Sequence, residues 1–120
     1  MGIVAALLII VVAALHCYFL VLEMFLWKTP YGRRVFGLAA DTAETTATLA
    51  ANQGLYNGFL AAGLIWALGW YGLAGGRPAL TFFLACVVAA GIFGGVTASR
   101  RILVAQALPG ALALAALWAL

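Results

Sequence analysis

The sequence predicts an all-α integral membrane protein, a bundle of four transmembrane helices forming a single domain over residues 1–120. Three observations carry that prediction. Of the 120 residues, 68% are hydrophobic and 8% are charged, against about 25% charged in an ordinary soluble domain, and the mean hydropathy is +1.17. Four apolar runs stand along the chain, each close to the roughly 20 residues that cross about 30 Å of hydrocarbon. None of them alternates over about 10 residues as barrel strands do. A soluble chain this short buries only about 60–70% of the surface its unfolded form exposes. The composition therefore excludes a soluble enzyme, a disordered tail and a disulfide scaffold. Net charge is +3, but the basic residues fall in three groups rather than along a phosphate-binding stripe, so no nucleic-acid partner is expected.

The first helix is expected over about residues 3–27. It lacks Lys or Arg before its apolar run and is too long for a signal-peptide core, so it is expected to stay in the membrane. Trp27 marks an interface. Lys28-Thr29-Pro30-Tyr31-Gly32-Arg33-Arg34 then supplies a proline that stops the helix, a turn and positive charge. Asp41 followed by Glu44 reads as an N-cap with Glu at the third position. The second helix should run over about 41–71, roughly 45 Å at 1.5 Å per residue, and so extend beyond the bilayer. Gly75-Gly76-Arg77-Pro78 is a tight turn with Pro78 suited to open the third helix, over about 78–99. Ser99-Arg100-Arg101 is the last turn, and the fourth helix follows over about 102–120, loosened at Pro109-Gly110.

Loops one and three hold Lys28, Arg33, Arg34, Arg100 and Arg101, whereas the opposite side has Arg77 alone. The positive-inside rule then places those loops in the cytoplasm and both termini outside.

Helices in lipid associate through close contact of small residues. The second helix carries Gly54, Gly58 and Ala62 at spacing four, and the third carries Cys86, Ala90, Gly94 and Ala98, with Gly91 and Gly95 as a second row. Packing of the second helix on the third is expected from these rows, with one small face left for a further copy, so a homo-oligomer surrounded by membrane lipids is expected. Cys17 and Cys86 read as buried, inert thiols.

Ionisable and amide side chains inside spans are costly and mark sites. The first helix has His16 and Glu23 two turns apart on one face. The second has Asn52, Gln53, Tyr56 and Asn57, and Gln106 lies in the fourth, with Arg100 at the end of the third loop. Glu23 lies about 6 Å in from Trp27, Asn52 and Gln53 are similarly deep, and Gln106 lies about 7 Å in from Arg101. These side chains are expected to form a polar pocket at the cytoplasmic leaflet, with His16 deeper. A single His with two mid-membrane cysteines makes no metal site. Ser99, the one serine, lies at a different depth from His16, so no catalytic triad is expected. No cofactor is expected either.

The stretch from His16 through Glu23 to Trp27 and the string Asn52-Gln53-Gly54-Leu55-Tyr56-Asn57-Gly58-Phe59-Leu60-Ala61 together resemble a bacterial family of small four-span membrane proteins, the domain-of-unknown-function family DUF1304. The resemblance covers nearly the whole chain and implies four helices and an inner-membrane location, with no activity attached. Glu23 in a first span is similar in outline to small multidrug antiporters, whose acid sits deeper and whose dual-topology forms have weak charge bias. Asn52 and Asn57 loosely resemble the second helix of the membrane-associated glutathione and eicosanoid enzymes, but this span has no Arg and has Tyr56 where an acid stands. The leading expectation is an inner-membrane protein that binds or transports a small amphiphile or lipid-like molecule, with Glu23 supplying charge. A membrane-embedded transferase and a structural or accessory subunit are the alternatives.

Overall fold

A computed structural model describes residues 1–120, all of them in helices or the turns between them, with no strand. The helices are α1 (Gly2–Met24), α2 (Pro30–Phe36), α3 (Ala40–Trp66), α4 (Gly72–Gly75), α5 (Arg77–Thr97), α6 (Arg100–Ile102) and α7 (Leu108–Trp118). A π-helical turn at Ala67–Tyr71 joins α3 to α4, and another at Leu103–Ala107 joins α6 to α7. Four stretches, Gly2–Met24, Ala40–Gly75, Arg77–Thr97 and Arg100–Trp118, are long and apolar enough to cross a membrane. The 36 residues of Ala40–Gly75 extend about 54 Å at 1.5 Å per residue, well beyond one hydrocarbon thickness. No more than 28% of the most apolar part of any span is buried within the chain. Ile3, Trp70, Phe82, Phe93 and Val96 all point outward. Lipid is the surrounding medium in which such a surface costs nothing.

The chain divides into two compact units, residues 1–15 with 60–120, and residues 16–59. In the first unit all four spans contribute to one core. α5 supplies Leu80, Leu84 and Val87 at helical spacing, α1 supplies Ile9, Val12 and Ala13, α3 and its π turn supply Leu64 and Ala67, and α7 supplies Ala113 and Leu117. α5 meets the fourth span backbone to backbone at Gly91, where an added Cβ would overlap the backbone of Ala107, with Ala107 Cα only 2.8 Å away. At Gly94 the nearest atom is Ile102 Cγ2 at 2.9 Å, and Gly95 faces the Leu103 side chain. Ala90, expected in the packing row, is exposed instead. The row that packs within the chain is therefore Gly91 and Gly95 with Gly94 at its edge, and it faces the fourth span. At the far end of α5, Thr81 Oγ1 accepts a 2.9 Å hydrogen bond from Trp118 Nε1, and the Arg77 guanidinium lies 5.1 Å from the centroid of the Trp118 ring. The loosening expected at Pro109-Gly110 lies one turn earlier. Proline has no N–H to return to the preceding turn, and the ladder shifts there, with Leu108 N–H bonding to Leu103 O.

The second unit joins the end of α1, α2 and the first twenty residues of α3. Here the expected pairing of Gly54 and Gly58 with the third helix is corrected, because both face α1. An added Cβ at Gly54 would stand 2.8 Å from Met24 Cγ and 3.2 Å from Leu20 O, and Gly58 lies under the Leu20 side chain. Cys17, expected to be buried, is exposed, and Cys86 is half-buried.

The first helix ends at Met24 rather than 27, and the segment read as a turn contains α2. Thr29 caps α2 by accepting the Gly32 N–H at 3.2 Å, Pro30 follows at its first turn, and Gly37 closes it at φ 65° with its N–H on Arg33 O. That is a threonine N-cap, an N-terminal proline and a left-handed glycine stop. Gly32 is required by contact, since a Cβ there would run into the carbonyl of Leu26. Tyr18 on α1 and Tyr31 on α2 hydrogen-bond through their hydroxyls. The capping arrangement expected at Asp41 is also corrected. α3 begins at Ala40, Asp41 Oδ1 accepts the Thr42 N–H at 2.9 Å, and Glu44 pairs with Lys28 at 3.6 Å instead of reaching back to the cap.

Two glycine substitutions separate backbone from side-chain contact. Gly91→Ala, blocked by backbone, should cost about 1–3 kcal/mol of stability. Gly94→Ala should cost less than about 1 kcal/mol, since the Ile102 side chain can turn away. Thermal unfolding in one detergent compares them, and equal losses would show that the fourth span is not held at Gly91.

Candidate functional site

Near the end of α1 the chain places a half-buried carboxylate, Glu23, against a buried amide, Asn57 of α3. Asn57 Nδ2 donates to Glu23 Oε1 at 2.5 Å. Gly54, one turn before Asn57, lets the two helices come close enough for this bond, with Glu23 Cβ 3.0 Å from where a Cβ on Gly54 would stand. The buried face of α3 carries Ala43, Ala50, Gly54 and Asn57, so Asn57 is the polar group on an otherwise small and apolar stripe. A charge-assisted bond is stronger than a neutral one, and a buried amide left without it would carry its full desolvation cost.

Beside this pair lies a cavity of about 270 Å³ lined by Glu23, Met24, Phe25, Trp27, Lys28, Thr29 and Ala47. Its indole wall is held on two sides. Trp27 Nε1 donates to Thr46 Oγ1 at 3.0 Å, and the Trp27 and Phe36 rings lie 4.7 Å apart between centroids. Thr46 in turn donates to Thr42 O at 2.6 Å. On the other side Lys28 stands 3.6 Å from Glu44, with both side chains more than half exposed. Such a pair is weak and leaves the ammonium free to exchange partners. Thr29 is engaged already, its hydroxyl donating to Leu26 O at 2.7 Å while accepting the α2 cap bond. The cavity thus presents one carboxylate, one ammonium and an aromatic face.

Of the eight side chains expected in a polar pocket, Glu23 and Asn57 come together. His16 is fully buried on α1, its ring edge-on to Phe19 at 5.3 Å. Asn52, Gln53 and Tyr56 are exposed. They lie on the outward side of α3, because the Gly54 contact turns the face containing Ala50 and Asn57 toward α1. Tyr56 meets the Phe59 ring edge-on at 5.6 Å. Arg100 and Gln106 belong to the first unit, Arg100 exposed at the start of α6 and Gln106 half-buried in the π turn. Lys28, Thr29 and Ala47 also line the cavity, residues outside the eight expected in the pocket. Their signal was the Thr29-Pro30 pair followed by Gly37, which marks a short helix rather than a plain turn.

The Glu23–Asn57 bond makes a stability prediction. Asn57→Ala should cost about 1–3 kcal/mol, because it removes a buried donor from a carboxylate. Glu23→Gln should cost less than about 1 kcal/mol, because a glutamine oxygen accepts the same bond from Asn57. Unfolding midpoints in matched lipid measure both, and an Asn57→Ala loss no larger than that of Glu23→Gln would show that the bond carries no weight.

Comparison with known proteins agrees with the sequence resemblance. A family model described as "Protein of unknown function (DUF1304)" matches residues 10–118. The chain is also similar to the "Uncharacterized protein YpaA" of Lactococcus lactis subsp. lactis (strain IL1403), with 29% identity over 119 residues that cover 98% of this chain and 96% of the relative. No solved structure matches. The family match takes in the end of α1 with Glu23, all of α3 with Asn57, and the remaining spans, and the chain belongs to the DUF1304 family.

Proposed function

We propose that this is a multi-pass protein of the bacterial cytoplasmic membrane that binds or transports a small amphiphile, its polar head beside Glu23 and its apolar part toward lipid. One observation carries the reading. Asn57 donates to Glu23 Oε1, and the carboxylate opens onto a cavity walled by Trp27 and Lys28. An unneutralised carboxylate next to hydrocarbon is expensive. A cationic or hydrogen-bond-donating head supplies what it lacks, and Phe25, 69% exposed at the cavity's edge, offers an apolar surface to the tail.

The cavity belongs to the cytoplasmic leaflet in this reading. α2, with Arg33 and Arg34, connects two spans and so lies at headgroup level, and the five basic residues of loops one and three against Arg77 direct that side inward. Cysteine labelling from outside should reach a thiol placed beside Arg77 and miss one beside Arg33. The opposite pattern would reverse the orientation and move the cavity to the outer leaflet.

The ligand reading is tested with a single-chain alkylamine and the alcohol of equal chain length, titrated into the protein in nanodiscs. The amine should bind more tightly, and Glu23→Gln should weaken it roughly tenfold or more, as expected for loss of a charged hydrogen bond. Asn57→Ala should weaken it less. An amine affinity unchanged in folded Glu23→Gln would take the carboxylate out of ligand recognition.

A further inference from the structure

The outward face of α3 is polar where a lipid-facing helix should not be. Asn52 and Gln53 are exposed, and Tyr56 is 55% exposed one turn beyond Asn52. No polar atom of these three side chains makes a hydrogen bond within the chain. They stand in a stretch apolar enough to cross the membrane, flanked on the same side by Leu49 and Phe59, which are 74% and 54% exposed. An amide that faces hydrocarbon loses its water and gains nothing in return.

We infer that this face is covered by α3 of a second copy of the chain, packed about a two-fold axis. The chemistry selects that occupant. Between Leu49 and Phe59 the face has no charge, so two copies meet there without repulsion, and each primary amide carries both donors and acceptors, so Asn52 and Gln53 can bond to their own counterparts across the axis. An isologous contact brings identical residues together, which suits self-complementary groups and would suit neither an acidic nor a basic partner. Polar side chains that bond between helices hold spans together in lipid, and Tyr56 and Phe59 add a broad ring surface next to them. This contact is separate from the Glu23 cavity, since Gly54 and Asn57 face α1 while Asn52 and Tyr56 face outward. Either assignment can fail without the other.

The test measures association in lipid. The unaltered chain, labelled and diluted into nanodiscs or liposomes over a range of protein-to-lipid ratios, should show a monomer–dimer equilibrium. Asn52→Leu with Gln53→Leu should weaken that equilibrium roughly tenfold or more. Both substitutions place an ordinary lipid-facing residue at an exposed position, so folding should survive, and helix content with the thermal unfolding midpoint confirms it. In a background with Cys17→Ala and Cys86→Ala, Asn52→Cys should form an oxidised cross-link between copies in native membranes. Val96→Cys, at a position on α5 that is 79% exposed, should cross-link several-fold less. A chain that stays monomeric at every ratio would overturn the inference and leave headgroups or another protein to cover the amides. Unchanged association in the double-leucine variant, or equal cross-linking at the two positions, would place the contact elsewhere and overturn it equally.

Discussion

Lipid removes the hydrophobic drive that holds helices together in water, so the spans of this protein are held where backbones come close and where buried polar groups find partners. In the second unit both conditions meet at one place. Gly54 brings α3 against Leu20, Glu23 and Met24, and the approach puts Asn57 within 2.5 Å of the Glu23 carboxylate. A larger residue at position 54 would separate the helices and take the donor away from the acid. Everything proposed for the cavity depends on that contact.

The short helix α2 is the second element that positions the site. Thr29 closes it at one end and Gly37 at the other, and Gly32 lets its first turn lie against the Leu26 carbonyl. This tight return brings Phe36 over Trp27, whose indole N–H is satisfied by Thr46. A large amphipathic ring with its polar edge bonded is a rigid wall at a membrane interface. Lys28, by contrast, is tied only to an exposed Glu44. The cavity therefore has one fixed side and one adaptable side.

Small residues do different work along the chain. Gly91 and Gly95 admit the fourth span to α5, and Gly63 lies under the Phe83 ring, all within the first unit. Ala90 and Ala62, on the same kind of spacing, face outward. Identical small-residue spacing thus occurs on packed and unpacked faces, because spacing describes a helix surface and not the partner that lies on it. The polar residues of α3 divide in the same way. Asn57 is turned in by its neighbour Gly54, while Asn52, Gln53 and Tyr56 are turned out.

The sequence by itself determined that the chain is helical and membrane-like, with four spans near the observed positions, because apolar length and the lack of alternation are properties of each segment alone. It also singled out Glu23 and Asn57 as costly groups that need partners. In the 28–37 segment Pro30 reads as a stop for the first helix, whereas Thr29 and Gly37 mark the two ends of a second one. Nor does the sequence show which faces meet. The phase of a helix about its axis is decided by the partner packed on it, and only the tertiary structure supplies that partner. Gly54 against α1, and not the spacing of the amides, chose Asn57 for the site and left Asn52, Gln53 and Tyr56 on the outside.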